Sequence, residues 1–399
     1  MRVCVTGFGA TTPLGLDAES TWTSLMAGRS GVTRIEEEWA EPLPVQIAAT
    51  IDDGFTAGLS VPEQRRMDRV EQIAMLAGRE AWAHAGAPDV DRDRLAVIVG
   101  SAIGGLRTTI EQQARLDELG PRRVSPHTVT MMMANGAAAW LSMEIGARAG
   151  ARTPVSACAS GSEAIMMARE MILAGSADVV LAGGTEACVT ALTLGSLAQT
   201  RALSRRNDDP VGASRPFAPD RDGFVLGEGA ALLVVESEEH AKARGARIHA
   251  YLAGAALTSD AYDIVAADRE NQARTMSLAV RSAGLTGSDI DFVHAHATST
   301  PLGDENESRA ILSAIGPTAV TSTKSMVGHL LGASGALGAV VAARALRDGR
   351  LPATINVEEV DPAIELDVVR TPRTGEYSAA MVNAFGFGGH NVSLVLTRS

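Results

Sequence analysis

Short apolar runs alternate along this chain with longer stretches in which small and apolar residues recur every three or four positions. The first pattern predicts buried strands and the second predicts helices with one packed face. Strands are expected at Val3–Thr6, Leu95–Val99, Val179–Ala182, Ala231–Val235, Phe292–Ala297 and Val392–Leu396. Helices are expected at about Ala18–Met26, Arg69–Ala85, Gly161–Leu173, Gln272–Ser282 and Gly335–Leu346. Glycine-rich turns follow several of the strands. Continuous apolar strands interleaved with helices imply an α/β fold with a mainly parallel sheet.

The pattern repeats weakly. T-P-V-S-A leads into Cys158 and an alanine-rich helix; A-V-T-S-T leads into Lys324, His329 and another. Each half also opens with a strand and a glycine turn, V-C-V-T-G-F-G-A and A-Y-L-A-G-A-A. Two similar halves, residues 1–240 and 241–399, are the preferred reading. Chance echoes between α/β segments are the alternative.

Composition narrows the function. No apolar run approaches the roughly 20 residues that a membrane helix needs. The N-terminus M-R-V-C-V-T-G-F-G reads as a strand, without the regions of a signal peptide. Three cysteines, Cys4, Cys158 and Cys188, make no disulfide framework, and a reducing cytoplasm suits the chain. The net charge of −12 argues against nucleic acid as a partner. Only two lysines occur, Lys242 on a helical surface pattern and Lys324 between two histidine motifs.

Four motifs carry the candidate chemistry. In P-V-S-A-C-A-S-G-S-E-A, a strand, a small-residue turn and a helix place Cys158 at a helix N-terminus. Unpaired N–H groups there stabilise a thiolate, and small neighbours leave the sulfur uncovered. Cys4 and Cys188 lack that setting and are read as core. In V-H-A-H-A-T-S-T-P-L-G-D-E-N-E, a strand delivers His294 and His296 on one face. A metal on that pair is disfavoured because no third ligand lies at useful spacing. In T-S-T-K-S-M-V-G-H-L-L-G-A-S-G, Lys324 ends a strand and His329 opens a glycine-rich helix start. The fourth, N-A-F-G-F-G-G-H-N at 383–391, is a glycine loop whose N–H groups can face a ligand. Each motif alone also has an ordinary packing explanation.

Together, and with A-G-G-T-E-A at 182–187 and S-R-P-F-A-P-D-R-D-G-F-V-L-G-E-G-A at 214–230, they resemble the β-ketoacyl-acyl carrier protein synthases over essentially the whole chain. These are condensing enzymes of the thiolase superfamily, and the likeness is to the elongating KAS I/II type. A-R-A-G-x-x-T-P-V-S-A-C with G-F-G-G-H-N is similar to actinobacterial mycolate-pathway members. The resemblance implies two duplicated βαβαβαββ halves in a five-layered αβαβα thiolase-like fold. It implies a decarboxylative condensation of malonyl-acyl carrier protein with an acyl chain held on Cys158. The N–H groups of Cys158 and Phe387 are then the oxyanion hole, and His296 and His329 stabilise the enolate. Lys324 orients His329, and Glu307 pairs with Lys324. Thr298 and Thr300 meet the pantetheine arm, Phe385 and Gly386 are further substrate contacts, and Phe387 gates the acyl chain. The family usually carries Asn or Glu where this chain has His294, so an extra imidazole is expected beside His296.

By the same resemblance, Ile103 lines the floor of the acyl tunnel and Met131 to Met133 form an apolar wall near a homodimer interface. Candidate docking residues for an acidic carrier protein are Arg65, Arg66 and Arg69 on one helix, Arg122 with Arg123, and Arg205 with Arg206. No cofactor, metal or membrane insertion is expected; a monovalent cation is compatible with the family, but no ligand cluster for one stands out. A thiolase would need a second cysteine near the C-terminal glycine loop. A non-catalytic chain-length subunit would lack the nucleophile, and an initiating enzyme would carry Asn in place of His329. A polyketide or specialised ketosynthase remains the alternative role.

Overall fold

The alternation becomes, in a computed structural model that describes residues 1–399, two runs of strands with one shared order. The first run comprises β1 (Val3–Thr11), β2 (Leu95–Gly100), β3 (Gly150–Arg152), β4 (Val179–Glu186) and β5 (Gly229–Ser237), arranged β1-β5-β4-β2-β3. The second comprises β6 (Ala250–Ser259), β7 (Phe292–His294), β8 (Ala319–Thr321), β9 (Asp367–Val368), β10 (Ala379–Gly386) and β11 (His390–Arg398). Its order, β6-β11-β10-β7-β8, repeats the first, and β9 is added at the edge of β8. The runs meet where β1 and β6 pair through Cys4 with Tyr251 and Val5 with Ala250.

Helices α1 (Ala18–Met26), α2 (Val61–Arg66), α3 (Arg69–His84), α4 (Leu106–Leu119), α5 (Thr128–Met132), α6 (Gly136–Ile145), α7 (Ser160–Leu173) and α8 (Ala191–Gln199) belong to the first half. After the short α9 (Glu238–Ala243) come α10 (Arg269–Ser282), α11 (Pro301–Ala314), α12 (Lys324–Val327) and α13 (Ser334–Asp348). Helix α3 links β1 to β2 and α10 links β6 to β7. Helix α7 precedes β4 as α13 precedes β10. This is the duplicated βαβαβαββ arrangement.

Period-two alternation decides the layers. In β2, Leu95, Val97 and Val99 pack outward with α3, while Ala96 and Ile98 pack inward. In β5, Leu232 and Val234 face outward, and Leu233 and Val235 inward. In β10, Ala380 and Val382 point to the same inner core, and Met381 to the helices α10 and α11. Helices α7 and α13 fill the middle, so the layers run helix, sheet, helix, sheet, helix. Each fully buried Val or Leu contributes about 1.5–3 kcal/mol. Residues Ser334 to Leu346 of α13 are all buried, which its small apolar composition permits.

Two expected boundaries shift. Strand β7 stops at His294, because the N–H groups of His296 and Ala297 turn to the Glu307 carboxylate instead of a sheet neighbour. Strand β8 stops at Thr321; Ser322 N–H donates to the Thr354 hydroxyl, and Lys324 opens α12 rather than ending a strand. No helix is long and apolar enough to cross a membrane.

The middle layer leaves little room. A Cβ at Gly161 in α7 would lie 2.5 Å from the Gly332 carbonyl oxygen and 3.1 Å from Ala336 Cβ. Gly161→Val should therefore destabilise the protein by about 1–3 kcal/mol. The measurement is the urea midpoint; an unchanged midpoint would mean the helices do not touch there.

Candidate active site

The chain reaches Cys158 through a sharp elbow. Ala157 has φ +51°, a left-handed conformation that costs a non-glycine residue about 1–2 kcal/mol. A 3₁₀ turn, Ala157–Ala159, runs directly into α7. The same device recurs in the second half: Leu331 has φ +41°, and the 3₁₀ turn Leu331–Ala333 runs into α13. Ser160 fixes the first elbow by accepting from Ser156 N–H at 3.0 Å and donating to the Ala157 carbonyl at 2.7 Å.

The two elbows bring separate motifs together. His329 Nε2 lies 3.0 Å from Cys158 Sγ, and its Nδ1 lies 2.9 Å from Ser334 Oγ. The His296 and His329 rings meet edge to face at 5.3 Å. One donor atom each from Cys158, His296 and His329 fall within 4.8 Å of one another. Phe385 packs edge-on to His296 at 5.8 Å, and Phe224 does so to His329 at 5.3 Å. His296 Nδ1 is buried without a hydrogen-bond partner.

A cavity of about 670 Å³ opens on this cluster. Ile103, Thr298, Thr300, Phe385, Gly386 and Phe387 all line it. Thr298 and Thr300 hydroxyls lie 3.1 Å apart. Phe387 is 42% exposed at the cavity. A Cβ at Gly386 would fall 2.3 Å from the Ser156 carbonyl oxygen and 3.2 Å from Cys158 N, so only glycine lets the loop approach the nucleophile. Met131 is not in the lining. Its segment folds outside the Gly104–Gly105 turn, where a Cβ at Gly105 would meet the Met131 carbonyl at 1.9 Å.

Electrostatics correct a second expectation. Burial pushes the Cys158 thiol up to about 12, and the Glu186 carboxylate adds to that rise. The Lys324 ammonium and the N–H groups of Phe387 and Cys158 pull the other way without winning. The helix N-terminus is therefore outweighed by desolvation, and the resting sulfur is a thiol. Burial, followed by the nearby Lys324 charge, holds His329 and His296 well below the ordinary histidine value. Both imidazoles are neutral. Burial brings Lys324 down to about 8, while Glu307, Cys158 and Asp304 oppose that fall.

Glu307 does not pair with Lys324. Its carboxylate accepts from His296 N–H at 2.8 Å, Ala297 N–H at 2.6 Å and Asn383 Nδ2 at 3.1 Å. No Lys324 nitrogen lies within ion-pair distance of it, and the two interact as charges through space. His294 does not line the cavity with His296, although after burial, Lys324 and His329 it adds to the lowering of its neighbour. It is buried, with Nε2 at 3.0 Å from Thr323 Oγ1, and its Nδ1 occupies the room over Gly338. Because the strand ends between them, the two histidines diverge.

Glu186 was not singled out from the sequence. It is fully buried beside Cys158 and accepts from Ser101 Oγ, Ala102 N–H and Gly332 N–H at 3.1, 2.8 and 3.2 Å. Asn383 and Ser334 were also missed, although both sit inside quoted motifs. Of the arginines, Arg65 and Arg66 end α2 and are exposed, and so are Arg122 and Arg123. Arg69 belongs to the next helix and turns inward, 2.6 Å from Glu228 and 2.6 Å from Asp53. It is unavailable for docking. Arg205 is exposed, whereas Arg206 pairs with Asp220.

Comparison with known proteins gives a consistent picture. The family model "Beta-ketoacyl synthase, N-terminal domain" matches residues 1–241, and "Beta-ketoacyl synthase, C-terminal domain" matches residues 249–358. The chain is 45% identical over 404 residues to a 3-oxoacyl-[acyl-carrier-protein] synthase 2 of Mycobacterium tuberculosis, covering 99% of this chain and 97% of that one. A β-ketoacyl synthase structure from Burkholderia phymatum superposes with a TM-score of 0.93 at 37% identity, covering 100% and 99%. A type II polyketide ketosynthase in complex with its acyl-carrier protein superposes at 0.92 with 30% identity, covering 100% and 99%.

Iodoacetamide alkylation of Cys158 in the free protein should keep accelerating above about pH 9, because the thiolate is the reactive form. A plateau reached below about pH 7.5 would show that the thiolate already predominates.

Proposed function

The chain belongs to the β-ketoacyl synthase family, and on that premise we propose that Cys158, His296 and His329 perform a decarboxylative condensation that lengthens acyl chains on acyl carrier protein. The observation that carries this reading is the meeting of one thiol and two neutral imidazoles at the end of a single cavity.

An acyl thioester enters from the carrier. The Cys158 S–H bond breaks, its sulfur bonds the acyl carbon, and the proton travels by way of His329 Nε2 to the departing carrier thiol. The N–H groups of Cys158 and Phe387 receive the oxyanion. Malonyl-carrier then binds and loses carbon dioxide. The electron pair left behind becomes an enolate, whose oxygen accepts hydrogen bonds from His296 and His329. A neutral imidazole can make this bond when its ring hydrogen sits on the nitrogen that faces the enolate oxygen. The enolate carbon attacks the acyl thioester, the C–S bond to Cys158 breaks, and the sulfur leaves as a thiolate that takes up one proton from solvent, the proton that the overall condensation consumes. Lys324 supplies a positive field near both histidines. Glu307 holds the His296 backbone in place.

Ile103, Phe385, Gly386 and Phe387 bound the acyl chain, and Thr298 and Thr300 receive the pantetheine. Arg65 and Arg66, with Arg122, Arg123 and Arg205, offer exposed positive charge to an acidic carrier. Val129, Met132 and Met143 are exposed apolar residues on α5 and α6, and a second copy of the chain covers them in a homodimer. The reaction runs in the cytoplasm without a bound cofactor. Fatty-acid elongation is favoured over a polyketide role, because the 3-oxoacyl-[acyl-carrier-protein] synthase relative is more similar in sequence than the polyketide ketosynthase is.

Intact-mass analysis after incubation with acyl-carrier substrates should show one acyl group on the wild type and none on Cys158→Ala. Condensation in that variant should fall by about three orders of magnitude or more. Cys158→Gln should still decarboxylate malonyl-carrier; loss of that activity would contradict the division of roles. The double change Arg65→Glu, Arg66→Glu should raise KM for carrier-linked substrates by about threefold or more while sparing a small pantetheine thioester. Equal loss on both would remove this patch from carrier docking.

A further inference from the structure

The proposed reaction makes opposite demands on one atom. During acyl transfer His329 Nε2 must accept a proton from Cys158. During decarboxylation the same nitrogen must carry a hydrogen and donate it to the enolate oxygen. A neutral imidazole meets both demands only by exchanging tautomers, and then its Nδ1 must change from donor to acceptor.

Ser334 is placed to allow that exchange. Its hydroxyl lies 2.9 Å from His329 Nδ1, and both residues are buried. A hydroxyl accepts from an Nδ1–H and, after rotating, donates to an unprotonated Nδ1. A backbone N–H or carbonyl could serve only one of the two forms. The neighbouring half makes the contrast clear. Ser160 is the first residue of α7 as Ser334 is of α13, but its hydroxyl is committed to the backbone of Ser156 and Ala157. Ser334 instead addresses a side chain. The other groups around the ring are fixed: Cys158 Sγ on Nε2, the Phe224 edge, the His296 ring and the Lys324 charge.

We propose that Ser334 is a positioning residue that holds His329 in either neutral tautomer, so that one imidazole serves as proton acceptor in acyl transfer and as hydrogen-bond donor in decarboxylation. The inference rests on the condensing function proposed above. The thiol proton passes through Nε2 to the carrier thiol, which leaves the ring with its hydrogen on Nδ1. In the later exchange Nε2 takes up one proton from water in the cavity and Nδ1 gives one up to water, so the ring is neutral before and after, and the Ser334 hydroxyl accepts from Nδ1–H in the first form and donates to Nδ1 in the second.

The half-reactions separate the possibilities. Ser334→Ala leaves Nδ1 without a partner, and a buried N–H left unpaired is the costlier form. That variant should favour the tautomer with hydrogen on Nε2. Acylation of Cys158, followed by intact mass, should slow by about tenfold, while malonyl-carrier decarboxylation should change by less than about threefold. Ser334→Thr, which keeps the hydroxyl, should restore acylation. Equal losses in both half-reactions, or no loss in either, would overturn the proposal. If the wild type performed neither half-reaction, the condensing function itself would fall, which is a different result.

A measurement on unaltered Ser334 guards against misfolding of the variants. Nitrogen-15 NMR of histidine-labelled protein reports which ring nitrogen of His329 carries hydrogen. The free enzyme should show Nδ1–H, and the acylated enzyme should show Nε2–H. The same tautomer in both states would overturn the proposal.

Discussion

Everything chemical in this protein depends on how closely the N-terminal turns of α7 and α13 approach each other. Glycines at 161 and 332 let two backbones come within van der Waals contact in the middle layer. A Cβ at Gly184, on the neighbouring strand β4, would fall 2.2 Å from the same Gly332 carbonyl. That packing brings Cys158 within 3.0 Å of His329, across 171 residues of chain. Neither elbow alone makes a site. Duplication supplies two similar strand–turn–helix units, and their contact across the central layer brings Cys158 and His329 to one cavity.

The second constraint is the low polarity of that layer. It keeps the thiol and both imidazoles uncharged at rest, even though a lysine and two carboxylates lie nearby. The carboxylates are tolerated because each is surrounded by N–H donors. Glu307 grips the loop that carries His296, and Glu186 ties the loop at Ala102 to the turn after His329. These two acids act on corresponding loops, one after β7 and one after β2. Both serve mainly the backbone.

Much of this was legible in the chain. Strand and helix periodicity located α1 to the residue and the cores of β2, β4 and β5 to within a few positions. The motifs around residues 158, 296, 329 and 387 pointed to one chemistry. Other features were hidden for physical reasons. The end of β7 at His294 depends on a carboxylate eleven residues beyond His296 that captures its N–H groups. The inward turn of Arg69 depends on Glu228, which lies in another motif. Glu186 lies in the quoted A-G-G-T-E-A run, and nothing local marks it as an acceptor for two separate segments, Ser101–Ile103 and Gly332.

The amino-acid order by itself determined the elements, the repeated architecture and the identity of the reactive groups, because periodicity and turn chemistry act over a few neighbouring residues. Only the tertiary structure decided which of those groups meet, and in which protonation state. His294 and His296 are two residues apart yet face different surroundings, whereas Cys158 and His329 touch. Distance and desolvation arise from packing between remote segments, and no local stretch of chain contains them.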